Sequence, residues 1–461
     1  MTHDPRHPFP GRAALVAGAA RSGLAAARLL RRRGLEVTVC DRRAADAAPE
    51  AARALAAEGV RFAWGRDDAE LLTGHDFVVW SPGIAVDHPL AEAARASGRP
   101  VLGELEVGAR VAQAPLVCIT GTNGKSTTTD LTGALLRAAG RTVAVCGNIG
   151  RAICEVVDEV PASGLLVVEV SSFQLETVET LRPAVATWLN LTPDHLDRHG
   201  SLEVYGAMKQ RLFARQTAAD WAVVNADDPE VVSRRAGAGR PASFSCRGPV
   251  DDGAFLAADG MIVLARDGRH EPLLPRAEVR LPGPHNTANV LAALATVLPF
   301  DPPRSALVEV LRTYGGLEHR LEPAGEWHGV RFVNDSKATN TDSLRVALQS
   351  FPEPVVLIAG GRDKGQDFRP LAPLVKGAVR RLVLIGEGAE PMAEAWADTP
   401  HERAATLAEA VRRAYQAAQS SGAVVLLSPG CASFDMFRDY EDRGRRFKDE
   451  VSRLMVEGET C

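Results

Sequence analysis

Short, uninterrupted runs of apolar residues recur along this chain, and helical patterns separate them. Six of the runs lie at residues 13–17, 77–80, 116–120, 165–172, 185–192 and 355–359. A strand that is apolar along its whole length must be buried on both faces, as in a parallel sheet covered by helices. The alternation therefore predicts an α/β protein built from doubly wound, mainly parallel sheets.

A glycine loop with the sequence GTNGKST joins the strand at 116–120 to a helical pattern. Its backbone N–H groups and the helix N-terminus favour phosphate, a lysine can reach the β and γ phosphates, and a serine can ligate Mg²⁺. Only two residues separate the glycines, which argues against the GTPases and common kinases. The alternative is a plain turn with an exposed lysine. The predicted ATP-binding residues here are Gly121, Thr122, Asn123, Gly124, Lys125, Ser126 and Thr127.

A second glycine turn, GAARSG at residues 18–23, follows the first strand, and Asp41 ends the next strand. This arrangement is similar to a dinucleotide-binding fingerprint, although Ala20 replaces the middle glycine. A tight turn of any α/β domain would look the same. It leaves open an NAD-dependent oxidoreductase, which would not explain GTNGKST. A nucleotide-binding switch without ligase chemistry also remains possible at this point.

The runs form three groups, and hydrophobic residues, at 46% of the chain, suffice for more than one core. We predict a Rossmann-like domain over residues 1–113, a central P-loop ATPase-like domain over 114–313, and a second Rossmann-like domain over 314–461. The stretch 234–280 mixes polar and apolar residues, and we interpret it as a β-rich elaboration of the central domain.

The bulk composition excludes several classes of function. The formal net charge is −5, so no basic surface indicates nucleic acid or an anionic membrane as a partner. No apolar run approaches the ~18 residues of a membrane span. The polar N-terminus does not resemble a signal peptide, and the cysteines form no CxxC pair. We expect a cytoplasmic monomer without structural zinc.

Two polar segments follow strands of the central group. Glu169 ends the run LLVVE, where ligands bind in open α/β sheets, and a carboxylate there can hold Mg²⁺. It could equally cap the next helix. The segment NLTPDHLD at residues 190–197 follows another strand, and read alone it is a turn in which Asp194 caps a helix.

Taken together, these motifs resemble the Mur ligase superfamily, which includes the folylpolyglutamate synthases. The resemblance rests on GTNGKST, on NLTPDHLD and on GLEHR at 316–320, and it covers nearly the whole chain. SSFQLE at 171–176, NDSKATN at 334–340 and SPGCASFD at 428–435 are similar to the D-glutamate-adding branch. The sequence contains no DNPR-type motif of the branch that adds diaminopimelate or lysine.

The resemblance implies an ATP-dependent, ADP-forming ligase that uses two Mg²⁺ ions. Its substrates would be UDP-N-acetylmuramoyl-L-alanine and D-glutamate, joined through an acyl-phosphate in cytoplasmic peptidoglycan precursor synthesis. Another Mur-type or folylpolyglutamate-type ligase is the nearest alternative.

The resemblance also implies the chemical roles of individual side chains. Lys209 lies on a predicted helix, where a lysine is usually a solvated charge. In the family the matching lysine carries a carbamate, which requires a neutral amine, and burial lowers the pKa of lysine. The implied catalytic residues are Lys125, His195 and Lys209, and the implied metal ligands are Ser126, Glu169, His195 and the carbamate of Lys209. The further ATP contacts would be Asn286, Arg320, Asp335 and Lys337.

The remaining implied contacts belong to the two co-substrates. Those of the UDP-linked substrate would be Gly18, Arg21, Ser22, Asp41, Arg42, Ser81, Gly83 and Asn148. Those of D-glutamate would be Thr339, Lys364, Ser433, Phe434 and Tyr440. Tyr440 stands where the family pattern leads us to expect an aromatic such as Phe, and Arg362-Asp363 precede Lys364 in a variant spacing.

Overall fold

A computed structural model describes residues 8–235, 237–281, 283–363, 366–419 and 421–459. The chain forms two compact units, Met1–Tyr314 and Gly315–Cys461. The first unit contains a five-stranded and a nine-stranded sheet, and the second contains a six-stranded sheet. The predicted α/β class with parallel-rich sheets is confirmed.

The five-stranded sheet is parallel throughout and has the strand order β3-β2-β1-β4-β5. Its strands are β1 (Ala13–Ala17), β2 (Glu36–Asp41), β3 (Arg61–Trp64), β4 (Phe77–Trp80) and β5 (Val101–Gly103). The chain reverses its direction of travel across the sheet between β1 and β4, and ligands bind at such a switch point.

The nine-stranded sheet has the order β14-β13-β12-β11-β10-β9-β6-β8-β7. Its parallel part contains β6 (Leu116–Thr120), β7 (Val143–Gly147), β8 (Leu165–Glu169), β9 (Val185–Trp188), β10 (Trp221–Asn225), β11 (Arg240–Ser245) and β12 (Gly253–Leu256). Two antiparallel strands, β13 (Met261–Arg266) and β14 (Arg269–Pro275), extend one edge. The β-rich elaboration predicted over 234–280 is thereby confirmed.

The second unit carries the order β15-β16-β20-β17-β18-β19. These strands are β15 (Glu322–Trp327), β16 (Val330–Asn334), β17 (Val355–Gly360), β18 (Val379–Ile385), β19 (His401–Arg403) and β20 (Val424–Gly430). Only β15 pairs antiparallel among the described strands of this sheet. As in the other sheets, the polar motifs therefore follow the carboxyl ends of parallel strands.

Helices connect the parallel strands and cover the sheets. In the first unit they are α1 (Arg21–Arg32), α2 (Glu50–Ala57), α3 (Pro89–Ala96), α4 (Glu104–Val111), α5 (Lys125–Ala138), α6 (Ile153–Val156), α7 (Ser172–Leu175), α8 (Leu196–His199), α9 (Leu202–Gln210), α10 (Pro229–Ser233), α11 (Pro284–Val297) and α12 (Arg304–Thr313). In the second unit they are α13 (Thr341–Gln349), α14 (Ala372–Ala378), α15 (Ala389–Ala395), α16 (Leu407–Gln419) and α17 (Tyr440–Glu459). Within the described ranges, no helix combines the length and apolar character needed to cross a membrane.

One hydrophobic cluster joins the first two sheets, which explains why both belong to one compact unit. It runs from Leu30 on α1 through Leu105 on α4 to Trp188 on β9. Burying a large apolar side chain stabilises a fold by about 1.5–3 kcal/mol. Glu106 on α4 adds a polar link, because its carboxylate accepts the backbone N–H of Thr180 at 2.9 Å. The predicted boundary at 113/114 therefore separates two sheets that share a core.

Two strand predictions were wrong in length. The apolar runs at 165–172 and 185–192 suggested strands over their whole extent, but β8 ends at Glu169 and β9 ends at Trp188. Val170 and Leu189 lie in the loops that follow, with 0% and 2% of their surfaces exposed. The runs continue past the strands because these loops are themselves packed into the core.

Candidate nucleotide and metal site

The GTNGKST loop leaves β6 at Thr120 and enters α5 at Lys125. Gly124 caps the helix with a φ of 81°, and a Cβ there would lie 2.2 Å from Oδ1 of Asn289. Only glycine fits this combination of backbone conformation and close packing. The first N–H groups of α5 have no acceptor within the helix, so the loop ends in a group of donors suited to phosphate.

The segment after β9 fixes the shape of this loop. Oδ1 of Asn190 accepts the backbone N–H of Thr122 at 3.0 Å and that of Asn123 at 2.8 Å. The hydroxyl of Thr122 donates to the carbonyl of Thr192 at 3.2 Å. The segment NLT therefore stabilises the conformation of the glycine loop. Interpreting the segment as a turn did not predict this role.

Two lysines converge on one carbonyl oxygen of the loop. Nζ of Lys125 donates to Gly121 O at 3.0 Å and to Thr122 O at 2.7 Å. Nζ of Lys209, on α9, donates to the same Gly121 O at 2.8 Å. Lys125 and Lys209 lie far apart in the sequence, and the fold brings both amines to the loop where nucleotide phosphates are expected.

Lys209 is not the solvated lysine that its helix alone would suggest, because only 1% of its surface is exposed. Burial, and then the positive charge of Lys125, hold the pKa of Lys209 well below its ordinary value. The carboxylates of Asp194 and Glu169 act in the opposite direction on that pKa. A lysine in this environment is readily neutral, which is the form that can add CO₂.

Glu169 is a buried carboxylate with one unused oxygen. Its Oε1 accepts Nδ2 of Asn148 at 2.7 Å, while Oε2 has no hydrogen-bond partner among the described residues. Leaving a buried polar atom without a partner costs stability, and such atoms often mark an ion that binds there. Oxygen donors suit Mg²⁺, and the buried Ser126 offers a hydroxyl at the start of α5. The residues present therefore fit a magnesium ion.

His195 lies at the surface of the same region, at the N-terminus of α8. Its φ of 51° is left-handed, its ring lies 4.8 Å from the ring of Phe173, and Nε2 lies 3.4 Å from Oδ2 of Asp194. No described contact joins its side chain directly to Glu169 or Lys209. The structure thus brings Lys125, Lys209 and the loop together and leaves His195 on the exposed side.

Asn286 belongs to a pair of amides on α11. Nδ2 of Asn289 donates to Oδ1 of Asn286 at 2.9 Å, and the hydroxyl of Thr128 lies 3.4 Å from Oδ1 of Asn289. Asn289 is the residue that also packs on Gly124. The predicted nucleotide contact Asn286 is therefore oriented by a neighbour that touches the glycine loop.

The first sheet brings three of the predicted UDP-substrate residues together at its switch point. The backbone N–H of Ala19, next to Gly18, donates to Oδ2 of Asp41 at 2.7 Å. A Cβ on Gly18 would lie 2.8 Å from the Ser81 hydroxyl. Hydrogen bonds from Arg43 hold the pKa of Asp41 below its usual range. Gly18, Asp41 and Ser81 thus lie at the carboxyl ends of three adjacent strands.

The other predicted residues of that group lie in different surroundings. Arg21 and Gly83 are exposed, and Ser22 is half-buried. Arg42 pairs with Asp67 and His88 at the surface. Asn148 makes its side-chain hydrogen bond to Glu169, so the structure places it at the candidate metal site.

In the second unit, the loops after β16 and β20 carry the nucleotide and amino-acid motifs. Asp335 is buried, its Oδ2 accepts the Ser428 hydroxyl at 2.7 Å, and burial raises its pKa to about 7. The backbone N–H of Lys337 donates to His319 O at 3.0 Å. Arg320 is exposed and acts electrostatically on Asp335.

The predicted D-glutamate residues are spread over these loops. Ser433 is buried, Phe434 is exposed over 59% of its surface, and Thr339 is half-buried. Tyr440 begins α17, and its backbone carbonyl accepts the Ser336 hydroxyl at 2.8 Å. Lys364 lies outside the described residues.

Sequence reasoning missed Arg443, a fully buried guanidinium that connects the two motifs of this unit. Its Nε donates to the Ser336 hydroxyl at 2.9 Å, and Nη1 donates to Cys431 O at 3.1 Å. Burial lowers its pKa to about 10. Its position in YEDRG, four residues after SPGCASFD, was the available signal, but charged helical residues are usually solvated.

Three family models match this sequence. They are described as Mur ligase MurD-like, N-terminal domain, over residues 12–103; Mur ligase middle domain, over 119–297; and Mur ligase, glutamate ligase domain, over 319–431. The UDP-N-acetylmuramoylalanine–D-glutamate ligase of Acidobacterium capsulatum is 44% identical over 445 residues, 96% of each chain. The protein of the same name from Geobacter metallireducens is 44% identical over 96% of this chain and 98% of its own.

Solved structures with low sequence identity share the fold. UDP-N-acetylmuramate-alanine ligase MurC of Thermotoga maritima aligns with a TM-score of 0.58 at 18% identity, covering 96% of this chain and 99% of that one. A pseudomurein peptide ligase type C from Methanothermus fervidus aligns with a TM-score of 0.55 at 16% identity, covering 96% and 100%. These similarities concern architecture alone.

Proposed function

This chain belongs to the Mur ligase family, and from that premise we propose that it joins D-glutamate to UDP-N-acetylmuramoyl-L-alanine. Mur ligases form amides with ATP and Mg²⁺ and release ADP, so the chain is an ATP-dependent ligase. The identity of both co-substrates is supported by relatives of 44% identity that carry this name over 96% of the chain. The reaction would serve peptidoglycan precursor synthesis in the cytoplasm, and through it cell shape and division.

One observation carries the catalytic part of the proposal: Lys125 and Lys209 both donate to Gly121 O, close to a buried Glu169 oxygen that has no partner in the described part of the chain. Positive charge, helix N–H groups and a candidate metal ligand lie where a nucleoside triphosphate would bind. In our proposal Gly121 to Thr127 form the phosphate site, and Asn286, Arg320, Asp335 and Lys337 make further contacts with the nucleotide.

We assign magnesium to Ser126, Glu169, His195 and a carbamate on Lys209, with two ions in all. When bound, Mg²⁺ neutralises negative charge on the phosphates. The low pKa of Lys209 supports the carbamate, because a neutral amine is required to add CO₂. His195 lies on the exposed side of the site, from which the nucleotide would approach.

The chemistry runs in two steps. The alanyl carboxylate attacks the γ-phosphorus of ATP, the bond to the bridging oxygen breaks, and ADP leaves. Lys125 stabilises the charge that develops on the transferred phosphoryl oxygens. The amine of D-glutamate then attacks the carbonyl carbon of the acyl-phosphate, loses a proton, and inorganic phosphate leaves as the amide forms.

The same proposal assigns a partner to each sheet. Residues 1–113 would bind the UDP-linked substrate through Gly18, Arg21, Ser22, Asp41, Arg42, Ser81 and Gly83, and Asn148 of the central segment would add a further contact to it. The central residues 114–313 would bind ATP. Residues 314–461 would bind D-glutamate through Thr339, Lys364, Ser433, Phe434 and Tyr440. Family models over 12–103, 119–297 and 319–431 support this division.

A substrate panel tests the proposal. The purified protein is given ATP, Mg²⁺ and UDP-N-acetylmuramoyl-L-alanine with D-glutamate, L-glutamate, D-aspartate, L-lysine or meso-diaminopimelate. Phosphate release and the mass of the product are measured. Only D-glutamate should support rapid phosphate release together with an amide product.

Two controls make the panel decisive. Leaving out either co-substrate should abolish sustained ADP release. A preference for a reduced folate with L-glutamate would identify a folylpolyglutamate-type ligase and contradict the proposal, and so would nicotinamide-cofactor reduction without ADP release.

A further inference from the structure

Arg198 links a loop of the first sheet to the segment that carries His195, and nothing in the chemistry above uses it. We propose that Arg198 is a positioning residue that fixes the loop at residues 81–84, here called the SPGI loop, relative to the candidate metal site. The proposal rests on the proposed function, because it concerns how the UDP-linked substrate is positioned.

On one side, the guanidinium of Arg198 holds the backbone of the SPGI loop. Nη1 donates to Pro82 O at 2.9 Å, and Nη2 donates to Ile84 O at 3.2 Å. Ile84 O also accepts the indole N–H of the buried Trp80 at 3.0 Å. The loop is thus held through its carbonyls, with Ser81 directly against Gly18.

On the other side, Arg198 is locked to the segment SSFQLE. Nε and Nη2 donate to the two carboxylate oxygens of Glu176 at 3.0 and 2.5 Å, a bidentate pair whose side chains are only 15% and 8% exposed. The guanidinium also lies 4.1 Å above the ring of Phe173. That ring is the one that packs on His195, at 4.8 Å.

These contacts join two sites through a single side chain. The guanidinium fork can bond a carboxylate and backbone carbonyls at once because it is planar and presents five donors. Glu176 fixes its orientation, Phe173 supports its face, and its remaining donors reach across to the first sheet. Arg198 therefore sets the distance between the SPGI loop and the His195 segment, and with it the position of the substrate carboxylate.

The test compares substitutions of Arg198 by steady-state kinetics and by calorimetric binding of UDP-N-acetylmuramoyl-L-alanine without ATP. For Arg198→Gln we expect the KM and Kd of this substrate to rise about tenfold. The KM for ATP should change less than about twofold. A role in stability alone would lower the unfolding temperature without this selective loss.

A double variant distinguishes loss of the contact with the SPGI loop from the effect of leaving a buried carboxylate without its cation. Arg198→Gln alone leaves Glu176 buried without its cation, which can destabilise a fold. Arg198→Gln with Glu176→Gln removes both charges, so it should fold normally and still show the selective rise in KM and Kd. Recovery of normal KM and Kd in the double variant would overturn the inference.

Arg33 supplies the matched control. Arg33 also links the segment of the first sheet to the segment of the second, because its Nη2 donates to Oδ1 of Asp158 at 2.5 Å. It lies on the exposed surface and has no described contact with the SPGI loop. Arg33→Gln should leave every kinetic constant within about twofold. A tenfold effect in this control would show that any cross-link has the same consequence and would contradict a specific role for Arg198.

The failure of this inference is distinguishable from failure of the proposed function. A wild-type protein that neither binds nor uses the UDP-linked substrate overturns the proposed function, and the inference with it. A wild-type protein that works, beside an Arg198→Gln variant with unchanged KM and Kd, overturns the inference alone.

Discussion

Two glycine loops in the first unit share one backbone plan and differ in their charges. Each follows a parallel strand and opens a helix: residues 18–23 run from the end of β1 into α1, and residues 121–127 run from the end of β6 into α5. In the first loop a backbone N–H is taken by Asp41, whose charge is balanced by Arg43. In the second, the amines of Lys125 and Lys209 donate to one carbonyl oxygen.

The difference indicates a division of labour. The loop at residues 18–23, here called the balanced loop, already has Asp41 as its carboxylate partner. It can therefore recognise a ligand without an excess of local charge. The other loop carries the positive charge of Lys125, and the nearby Glu169 has an oxygen without a hydrogen-bond partner among the described residues, so phosphate and a cation would complete this site. Recognition is expected at the first loop and chemistry at the second.

The largest effect should come from Lys125→Ala. The variant removes the amine that we propose stabilises the developing phosphoryl charge, and loss of one such donor typically costs about 10²–10³ in kcat. We expect a fall of about a thousandfold in kcat for ligation, measured as amide product. Lys376→Ala, which breaks an exposed pair with Asp398, is the control and should remain fully active. Normal turnover by Lys125→Ala would remove the contrast between the loops.

Lys209→Ala should have the next largest effect, a fall of roughly several hundredfold in kcat. The lowered pKa of Lys209 favours the neutral amine that can add CO₂, so the wild-type protein should lose activity in CO₂-depleted buffer and regain it with bicarbonate. The variant should not respond to bicarbonate. Wild-type turnover that is indifferent to CO₂ would show that Lys209 acts as an amine.

Glu104, near the junction of the two halves, should affect stability more than chemistry. Burial raises its pKa from 4.5 to about 7, so the folded state binds a proton more tightly than the unfolded state. The free energy of unfolding should therefore fall as pH rises from about 4.5 to about 7, and stay level above that. Glu104→Gln should abolish this decrease, which amounts to at most about 3 kcal/mol of unfolding free energy. Parallel pH curves of unfolding free energy for variant and wild type would refute the assignment.

The smallest effect is expected at the balanced loop. Asp41→Asn keeps an acceptor for the N–H of Ala19 but leaves Arg43 without its counter-charge. We expect the KM for the UDP-linked substrate to rise about tenfold, about 1.4 kcal/mol, with kcat and the KM for ATP nearly unchanged. A loss in kcat comparable to that of Lys125→Ala would mean that both loops take part in chemistry.

The sequence predicts elements well where burial and strand coincide. β1, β4 and β6 have the predicted bounds because each is a short apolar run that ends at a turn. The strands predicted at 165–172 and 185–192 were too long, because the loops that follow β8 and β9 are buried as well. The short edge strands Arg61–Trp64 and Val101–Gly103 carry too little apolar pattern to stand out.

The site was predictable in its local parts and not in its long-range ones. A glycine loop between a strand and a helix, with Lys-Ser at the start of the helix, is a local pattern that predicts Lys125 as a phosphate contact. The bond from Lys209 to Gly121 O spans 88 residues, and Arg198 reaches Pro82 across 116, distances over which no local pattern carries information. Lys209 entered through a family resemblance, and Arg198 emerged only from the fold.

Transfer of isotopic oxygen tests the central claim most directly. UDP-N-acetylmuramoyl-L-alanine labelled with ¹⁸O in its carboxylate is incubated with ATP, Mg²⁺ and D-glutamate, and the released phosphate is analysed by mass spectrometry. If the loop at 121–127 transfers the γ-phosphoryl group to that carboxylate, one labelled oxygen appears in each phosphate formed. Phosphate without label, released in step with the amide, would contradict the account.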